Sequence, residues 1–161
     1  KAAKVLRNGG VLALFTHVRS GTDAGARARL REAWQQVVPE AASWPSRDAA
    51  TIWKGAEERR GNVSEVWSWL EGHDLARPKA GTLFEDVELA TVAEERQITA
   101  EEYLTRIRTT SAYLRLDTGG RRALEEGLTS AIEDAGGLYA YTEYATLVTA
   151  RAALAHRSTS A

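Results

Sequence analysis

Residues 4–15 read KVLRNGGVLALF, and this stretch decides the fold. The part before Asn8 is predicted to be the end of a helix, because Asn and two glycines tolerate the left-handed backbone that closes one. The apolar run 11–15 is too short for a helix and shows no alternation, which predicts a strand buried on both faces of a parallel sheet. Helix, glycine turn and buried strand form the second half of a βαβ unit, so we predict an α/β domain.

Hydrophobic periodicity and turn residues predict the elements that follow. In chain order they are a helix from Thr22 or Asp23 to about Val38, short helices near 46–57 and 64–75, a strand from Phe84 to about Val92, a helix from Thr99, a helix from about Thr118 to Ala135, and a strand over 138–150. Thr99 and Glu102 have the spacing of a capping box, in which each side chain satisfies an exposed backbone amide of the other residue.

Composition excludes several classes of function. The chain has 161 residues, a net charge of −1 and no cysteine. Disulfide scaffolds, thiolate nucleophiles and cysteine-bound metals are therefore excluded, and the three histidines do not have metal-ligand spacing. The absence of a basic excess argues against nucleic acid as a partner, and no apolar run reaches the roughly 20 residues that cross a membrane. We expect a cytoplasmic protein, and we expect Lys1 to be a processed or internal boundary.

Four segments, in order, resemble class I S-adenosylmethionine-dependent methyltransferases. Residues 4–14 are similar to the R-V-L-K/R-P-G-G-x-L segment before the fifth strand of that family, with Asn8 in place of the proline. Residues 84–88 resemble the F-x-x-V-E opening of the sixth strand, and 99–113 resemble the S-x-E-E-Y-L … T-x-S-Y helix of small-molecule members. Residues 144–151 resemble the T-x-L-x-x-A-R end of the seventh strand.

The resemblance implies the carboxyl-terminal part of a Rossmann-like methyltransferase domain: the last three strands of the sheet with flanking helices, the amino-terminal half missing. Residues 1–151 would belong to it, 20–80 as a helical insertion on the substrate side, and 152–161 would be a flexible tail. The complete protein would transfer a methyl group to a small-molecule acceptor. S-adenosylmethionine would be bound mainly by the missing half, because the glycine-rich and acidic cofactor motifs lie upstream in relatives, so we expect this chain to be inactive alone.

The resemblance also implies substrate-side residues. Phe15 and His17 follow at the carboxyl end of the first strand, where His17 could be a general base or a hydrogen-bond partner, or an exposed histidine without a role. Arg19 could pair with a substrate carboxylate or could simply be solvated.

The helix after Thr99 covers the substrate pocket in relatives, which makes Tyr103, Ser111 and Tyr113 candidate substrate contacts. Tyr103 and Ser111 are eight positions apart, so on one helix they would share a face. The alternatives are core packing for Tyr103 and a hydroxyl bonded to its own helix for Ser111.

Two other functions stay open. The chain could be a non-catalytic binding or assembly module, in which the cut sheet edge pairs with another chain or forms a homodimer. It could also be another α/β enzyme that shares the helix–glycine–strand junction, although the G-x-S-x-G turn of a hydrolase is absent from the sequence.

Overall fold

The computed structural model describes residues 2–44, 47–73, 75–78 and 81–153. The strands are β1 (Val11–Gly21), β2 (Phe84–Thr99) and β3 (Leu138–Ala152). The helices are α1 (Ala2–Val5), α2 (Ala24–Val37), α3 (Ala49–Glu58), α4 (Val63–Leu70), α5 (Ala100–Ile107), α6 (Ser111–Leu114) and α7 (Thr118–Glu133), and Pro39–Ser43 forms a short 3₁₀ helix. The prediction of a mixed α/β chain is confirmed.

The three strands form one antiparallel sheet in the order β1-β3-β2. The last strand in sequence is therefore the central one, and within the described part of the chain β1 and β2 are the edges. Hydrogen bonds at both ends of the β1–β3 pair set the same register: the amide of Ala152 donates to the carbonyl of Gly10, and the amide of Thr22 donates to the carbonyl of Ala140.

The prediction of a parallel strand buried on both faces at 11–15 is wrong. Side chains of β1 alternate between the two faces of the sheet, and Val11 and Phe15 are 52% and 74% exposed. Leu12 and Leu14 point to the other face and pack against a buried core. The alternation is hidden in the sequence because apolar residues occupy both faces, although only one of them is covered by helices here.

The described residues cluster into two compact units. The first unit consists of Lys1–Val18, Arg47–Ala93 and Tyr144–Ala161, and the second of Arg19–Ser46 and Glu94–Glu143. The predicted insertion 20–80 is thus divided between them. The predicted tail over 152–161 lies outside the described residues from position 154 onward.

In the first unit, α3, α4 and β3 supply most of the core. Its fully buried members include Ala56, Val63, Val66 and Val148. Asp48 and Asn62 begin α3 and α4, each accepting a hydrogen bond from the first turn of its helix. Both predicted short helices are present, but the second, expected near 64–75, ends at Leu70.

In the second unit, α2 and α7 pack together around Leu124 and Leu128, which are fully buried. The helix predicted from Thr22 or Asp23 is confirmed, with Asp23 as its cap. The capping box of Thr99 and Glu102 is also confirmed. At the other end of α7, Gly136 and Gly137 have φ values of 98° and 84°, a backbone that glycine adopts without strain.

One predicted helix is two. Helix α5 ends at Ile107, and α6 begins at Ser111 with Thr110 as its cap. The hydroxyl groups of Thr109 and Thr110 donate to the carbonyls of Arg106 and Ile107 at the end of α5. These local hydrogen bonds compete with helix continuation, which explains the break. Tyr103 and Ser111 therefore do not share a helix face, and that prediction is wrong.

Candidate functional site

An apolar groove lies on the sheet of the first unit. Its volume is about 450 Å³, within the range of small-molecule sites. The lining residues are Phe15, Thr16, His17, Ala90, Thr91, Val92, Ala145, Thr146 and Leu147. Every strand of the sheet contributes three consecutive residues. We call this feature the apolar groove.

The register of β1 and β3 explains which side chains meet in the apolar groove. Phe15 lies opposite Leu147, and His17 lies opposite Ala145, because the same register holds at both ends of the pair. On an antiparallel sheet opposite residues share a face, so these four side chains lie on the open face of the sheet. Phe15 and Val92 are 74% and 73% exposed, an unusual exposure for large apolar side chains.

One residue of β2 with a left-handed backbone shifts the alternation of the strand, and this shift decides which β2 side chains lie on the open face. Asp86 has a φ of 52°, and the strand alternation shifts at this point. Phe84 and Val87 are both buried although they are three positions apart. After the shift Val87 and Leu89 pack on the helix side. Ala90 and Val92 consequently line the groove from β2.

Among the polar groups of the apolar groove, two hydroxyls have partners elsewhere. The Oγ1 of Thr16 donates to Oε1 of Glu71 at 2.6 Å, and the Oγ1 of Thr146 donates to the carbonyl of Tyr144 at 3.4 Å. Thr146 is also buried. His17 is exposed and is the single titratable side chain among the described lining residues. An imidazole in this position can accept a proton or donate a hydrogen bond to a bound molecule.

A second groove at the other end of the same strands has a different character. It is lined by Val11, Arg60, Asp86, Val87, Glu88, Thr149, Ala150 and Arg151. The guanidinium groups of this charged groove already face carboxylates: Arg60 lies 3.2 Å from Glu57, and Arg151 lies 3.6 Å from Asp86. An anion bound here would compete with those pairs, so the charged groove has no uncompensated cation to offer.

Tyr113, a predicted substrate residue, is buried and tied to a carboxylate. Its phenol donates to Oε1 of Glu125 at 2.5 Å. Arg108 donates to both carboxylate oxygens of Glu125, at 2.9 and 3.0 Å. Hydrogen bonds from Arg108 and then Tyr113 lower the pKa of Glu125 to about 2, and the hydrogen bond to Glu125 raises the pKa of Tyr113. This network joins α5, α6 and α7, which is a structural role.

Tyr103 belongs to a cluster of three phenols in the second unit. Its ring meets that of Tyr139 edge to face at 5.5 Å, and Tyr139 stacks on Tyr141 at 5.8 Å. Burial raises the pKa of Tyr103, and it raises that of Tyr139 to about 12. The guanidinium of Arg106 donates to the hydroxyl of Tyr141. Tyr103 also packs against the core of this unit, as the packing alternative anticipated.

Arg19 and Ser111 lie in the second unit, outside the apolar groove. The Nε of Arg19 donates to Oε1 of Glu143 at 2.7 Å, and Arg96 lies 4.0 Å from the other oxygen of that carboxylate. Arg19 is therefore engaged in an ion pair within the second unit rather than directed to a substrate carboxylate. Ser111 is exposed at the start of α6.

Of the predicted site residues, Phe15 and His17 both line the apolar groove. Arg19, Tyr103 and Tyr113 lie in the second unit with the partners described above, and Ser111 lies there at an exposed position. The sequence did not indicate Ala90, Val92, Ala145 and Leu147, because their contribution depends on strand order and register. The sequence carries one weak indication. Ala90 and Val92 are two positions apart, as are Ala145 and Leu147, so on a strand the side chains of each pair lie on the same face.

Among the described residues, no three His, Cys, Asp or Glu side chains form a group that could hold a metal ion. None of the described helices is both long enough and apolar enough to cross a membrane. No protein-family model and no curated protein matches this chain.

Proposed function

We propose that this chain is the carboxyl-terminal, substrate-side part of a class I S-adenosylmethionine-dependent methyltransferase. The complete protein would be a cytoplasmic enzyme that methylates a small-molecule acceptor, and the chain alone would be inactive. The four sequence segments carry the resemblance. The observation in the structure that supports it most is that the segments resembling the sixth and seventh strands, and the end of the segment before the fifth, fall in strands of one sheet.

Three of the segments that carry the resemblance belong to the sheet or lead into it. Residues 84–88 lie in β2, residues 144–151 lie in β3, and residues 4–14 lead into β1. Strand β3 lies between β1 and β2, so the three strands form one sheet.

The apolar groove supplies the acceptor side of the proposal. Methyl transfer from a sulfonium needs the acceptor to be aligned and shielded from water more than it needs a protein nucleophile. Phe15, Val92 and Leu147 provide an apolar surface for such alignment. His17 can accept the proton of a hydroxyl or amine acceptor, for which a base is required.

The residues of this chain do not fit the cofactor itself. A nucleoside cofactor in this kind of fold needs a glycine-rich turn and an acidic residue for the ribose hydroxyls. The sequence contains no G-x-G-x-x-G, and none of the described residues that line the apolar groove is acidic. We therefore assign no contact with S-adenosylmethionine to this chain.

Calorimetric titration with S-adenosylmethionine tests the proposal. We expect the product of the complete open reading frame to bind the cofactor and the 161-residue chain to give no heat of binding. A complete product that binds no S-adenosylmethionine would refute the methyltransferase assignment.

A second function is favoured by the edge of β1. Residues Val11–Thr16 contain no charge, proline or bulge, which are the devices that normally protect an exposed strand edge. Strand β2, at the opposite edge, has Asp86 with its left-handed backbone and several charged residues. A non-catalytic assembly module would use the β1 edge for pairing with another chain or a second copy. Light scattering would then detect a dimer, whereas a monomer over the whole accessible concentration range would exclude a homodimer.

A further inference from the structure

We infer that the apolar groove selects an uncharged, predominantly apolar ring compound whose single hydroxyl or N–H group faces His17. The inference rests on the proposed function in calling this compound the methyl acceptor. Its recognition by the groove follows from the lining residues and can be tested without the cofactor.

The shape of the groove favours a flat ligand. Four of its lining side chains, those of Phe15, His17, Ala145 and Leu147, lie on one open sheet face, where Phe15 is opposite Leu147 and His17 is opposite Ala145. Ala145 and, on β2, Ala90 have small side chains, which leaves room for a ring. Such a ring would cover part of Phe15 and Val92, which are 74% and 73% exposed.

The charge of the groove excludes ionic ligands. None of the nine described lining residues is Asp, Glu, Lys or Arg. A carboxylate or ammonium bound here would lose water without an Asp, Glu, Lys or Arg side chain to compensate its charge, which costs more than the apolar contact returns. The charged groove of the same unit is not an alternative anion site, because Arg60 and Arg151 face Glu57 and Asp86.

His17 fixes the orientation of the ligand. The hydroxyls of Thr16 and Thr146 have protein acceptors, which leaves the Thr91 hydroxyl and the His17 imidazole as polar side-chain groups of the groove, and the imidazole is the one that can also take up a proton. A ligand with one donor gains a hydrogen bond there, whereas a ligand with several polar groups would bury the others without partners. One neutral hydrogen bond contributes about 0.5–1.5 kcal/mol, which corresponds to roughly a 2- to 13-fold change in affinity.

Three related probes test the inference on the 161-residue chain, with binding followed by probe fluorescence at pH 8. We expect 2-naphthol to bind, 2-naphthoate to bind at least tenfold more weakly, and 2-methylnaphthalene, which has no polar group, to bind without a hydrogen bond to His17. In His17→Ala, the affinity for 2-naphthol should fall several-fold while that for 2-methylnaphthalene stays the same. His17→Gln, which keeps a polar group, should restore part of the loss.

A charge placed inside the groove and the same charge placed beside it provide the matched control. Ala90→Arg should abolish 2-naphthol binding, and Ala13→Arg, at an exposed position of β1 outside the lining, should not. Circular dichroism establishes that both variants are folded. Equal binding of 2-naphthol and 2-naphthoate, or no 2-naphthol binding by the folded wild-type chain, would overturn the inference. Either result leaves the calorimetric test with S-adenosylmethionine independent, so failure of the acceptor class and failure of the methyltransferase assignment can be told apart.

Discussion

Gly55 of α3 lies directly against the indole of Trp69 near the end of α4. A Cβ at position 55 would be 2.3 Å from Cε2 and Cζ2 of the ring, well inside van der Waals contact. The ring cannot easily move away, because its Nε1 donates to the carbonyl of Ile52 at 2.8 Å. The guanidinium carbons of Arg47 and Arg59 also lie over it, at 4.2 and 4.1 Å from its centre. This contact sets the distance between α3 and α4.

Gly55→Ala should therefore destabilise the chain although alanine is the better helix former. Overpacking a core costs about 1–3 kcal/mol, whereas replacing glycine by alanine inside a helix gains about 1 kcal/mol. The net effect is therefore a loss of stability. The measurement is the free energy of unfolding from urea denaturation. Gly61→Ala is the control, because a Cβ there meets nothing within 4 Å. A Gly55→Ala variant as stable as Gly61→Ala would show that α3 and α4 are not in contact at this point.

Acid should weaken the second unit through Glu125. Its pKa is lowered from an ordinary 4.5 to about 2 in the folded chain. The carboxylate therefore stabilises the fold fully above about pH 4.5, and this contribution is lost as the pH falls from 4.5 towards 2. Glu125→Gln should lower the stability at pH 7 by about 1 kcal/mol and should flatten the pH dependence of the unfolding midpoint in that window.

Glu126→Gln is the matched control for this prediction. Glu126 pairs with Arg122 at 2.8 Å, but both side chains are largely exposed to solvent. Exposed pairs contribute little, so this variant should unfold much like the wild type at pH 7. If both glutamine variants behave alike, the hydrogen bonds of Glu125 with Arg108 and Tyr113 do not form in solution.

The capping box should account for a measurable part of the stability of α5. The Oγ1 of Thr99 accepts a hydrogen bond from the amide of Glu102 at 3.3 Å, and the Glu102 carboxylate accepts one from the amide of Thr99 at 2.8 Å. Thr99→Ala should cost about 1 kcal/mol in thermal or urea unfolding. Thr118→Ala, at the exposed first residue of α7, serves for comparison and should change little. An equal loss in both variants would contradict a specific capping role.

Alkali should destabilise the second unit through Tyr139. Burial raises the pKa of its phenol from 10 to about 12, so the fold favours the neutral form. The stabilisation is complete below about pH 10 and is lost as the pH rises from 10 towards 12. Unfolding midpoints measured from pH 8 to 11 should fall more steeply for the wild type than for Tyr139→Phe. Parallel slopes would mean that this phenol is exposed in solution.

Local signals in the sequence determined most of the helices. Asp23, Thr99 and the glycine pair 136–137 mark boundaries that the structure reproduces, because caps and left-handed turns are encoded by single residues. The break at Thr109 and Thr110 was missed, since their hydrophilic side chains bond to the preceding helix end rather than continue it. The sequence predicted a strand over 84–92, and the observed strand β2 continues beyond it to Thr99.

Sheet topology and the candidate site were harder to predict for a physical reason. Strand order and register depend on pairings between residues more than a hundred positions apart, such as Gly10 with Ala152. Phe15 and His17 could be selected from their place at the end of an apolar run, although they lie in the middle of β1, which continues to Gly21, and not at its carboxyl end. Ala90 and Leu147 become neighbours of that pair only through the β1-β3-β2 order. Arg19 could not be distinguished from a substrate-binding arginine without Glu143, its partner from β3.

Methyl transfer measured with isotope-labelled S-adenosylmethionine is the most direct test of the methyltransferase assignment. The product of the complete open reading frame and the 161-residue chain would be assayed side by side with 2-naphthol as acceptor, and the product followed by mass spectrometry. We predict label in the methylated acceptor with the complete product, a fall of kcat/KM by roughly 10²- to 10⁴-fold in its His17→Ala variant, and no label with the chain alone. A complete product that neither binds the cofactor nor transfers the label would contradict the methyltransferase assignment, and a chain that is active alone would contradict the placement of the cofactor site outside it.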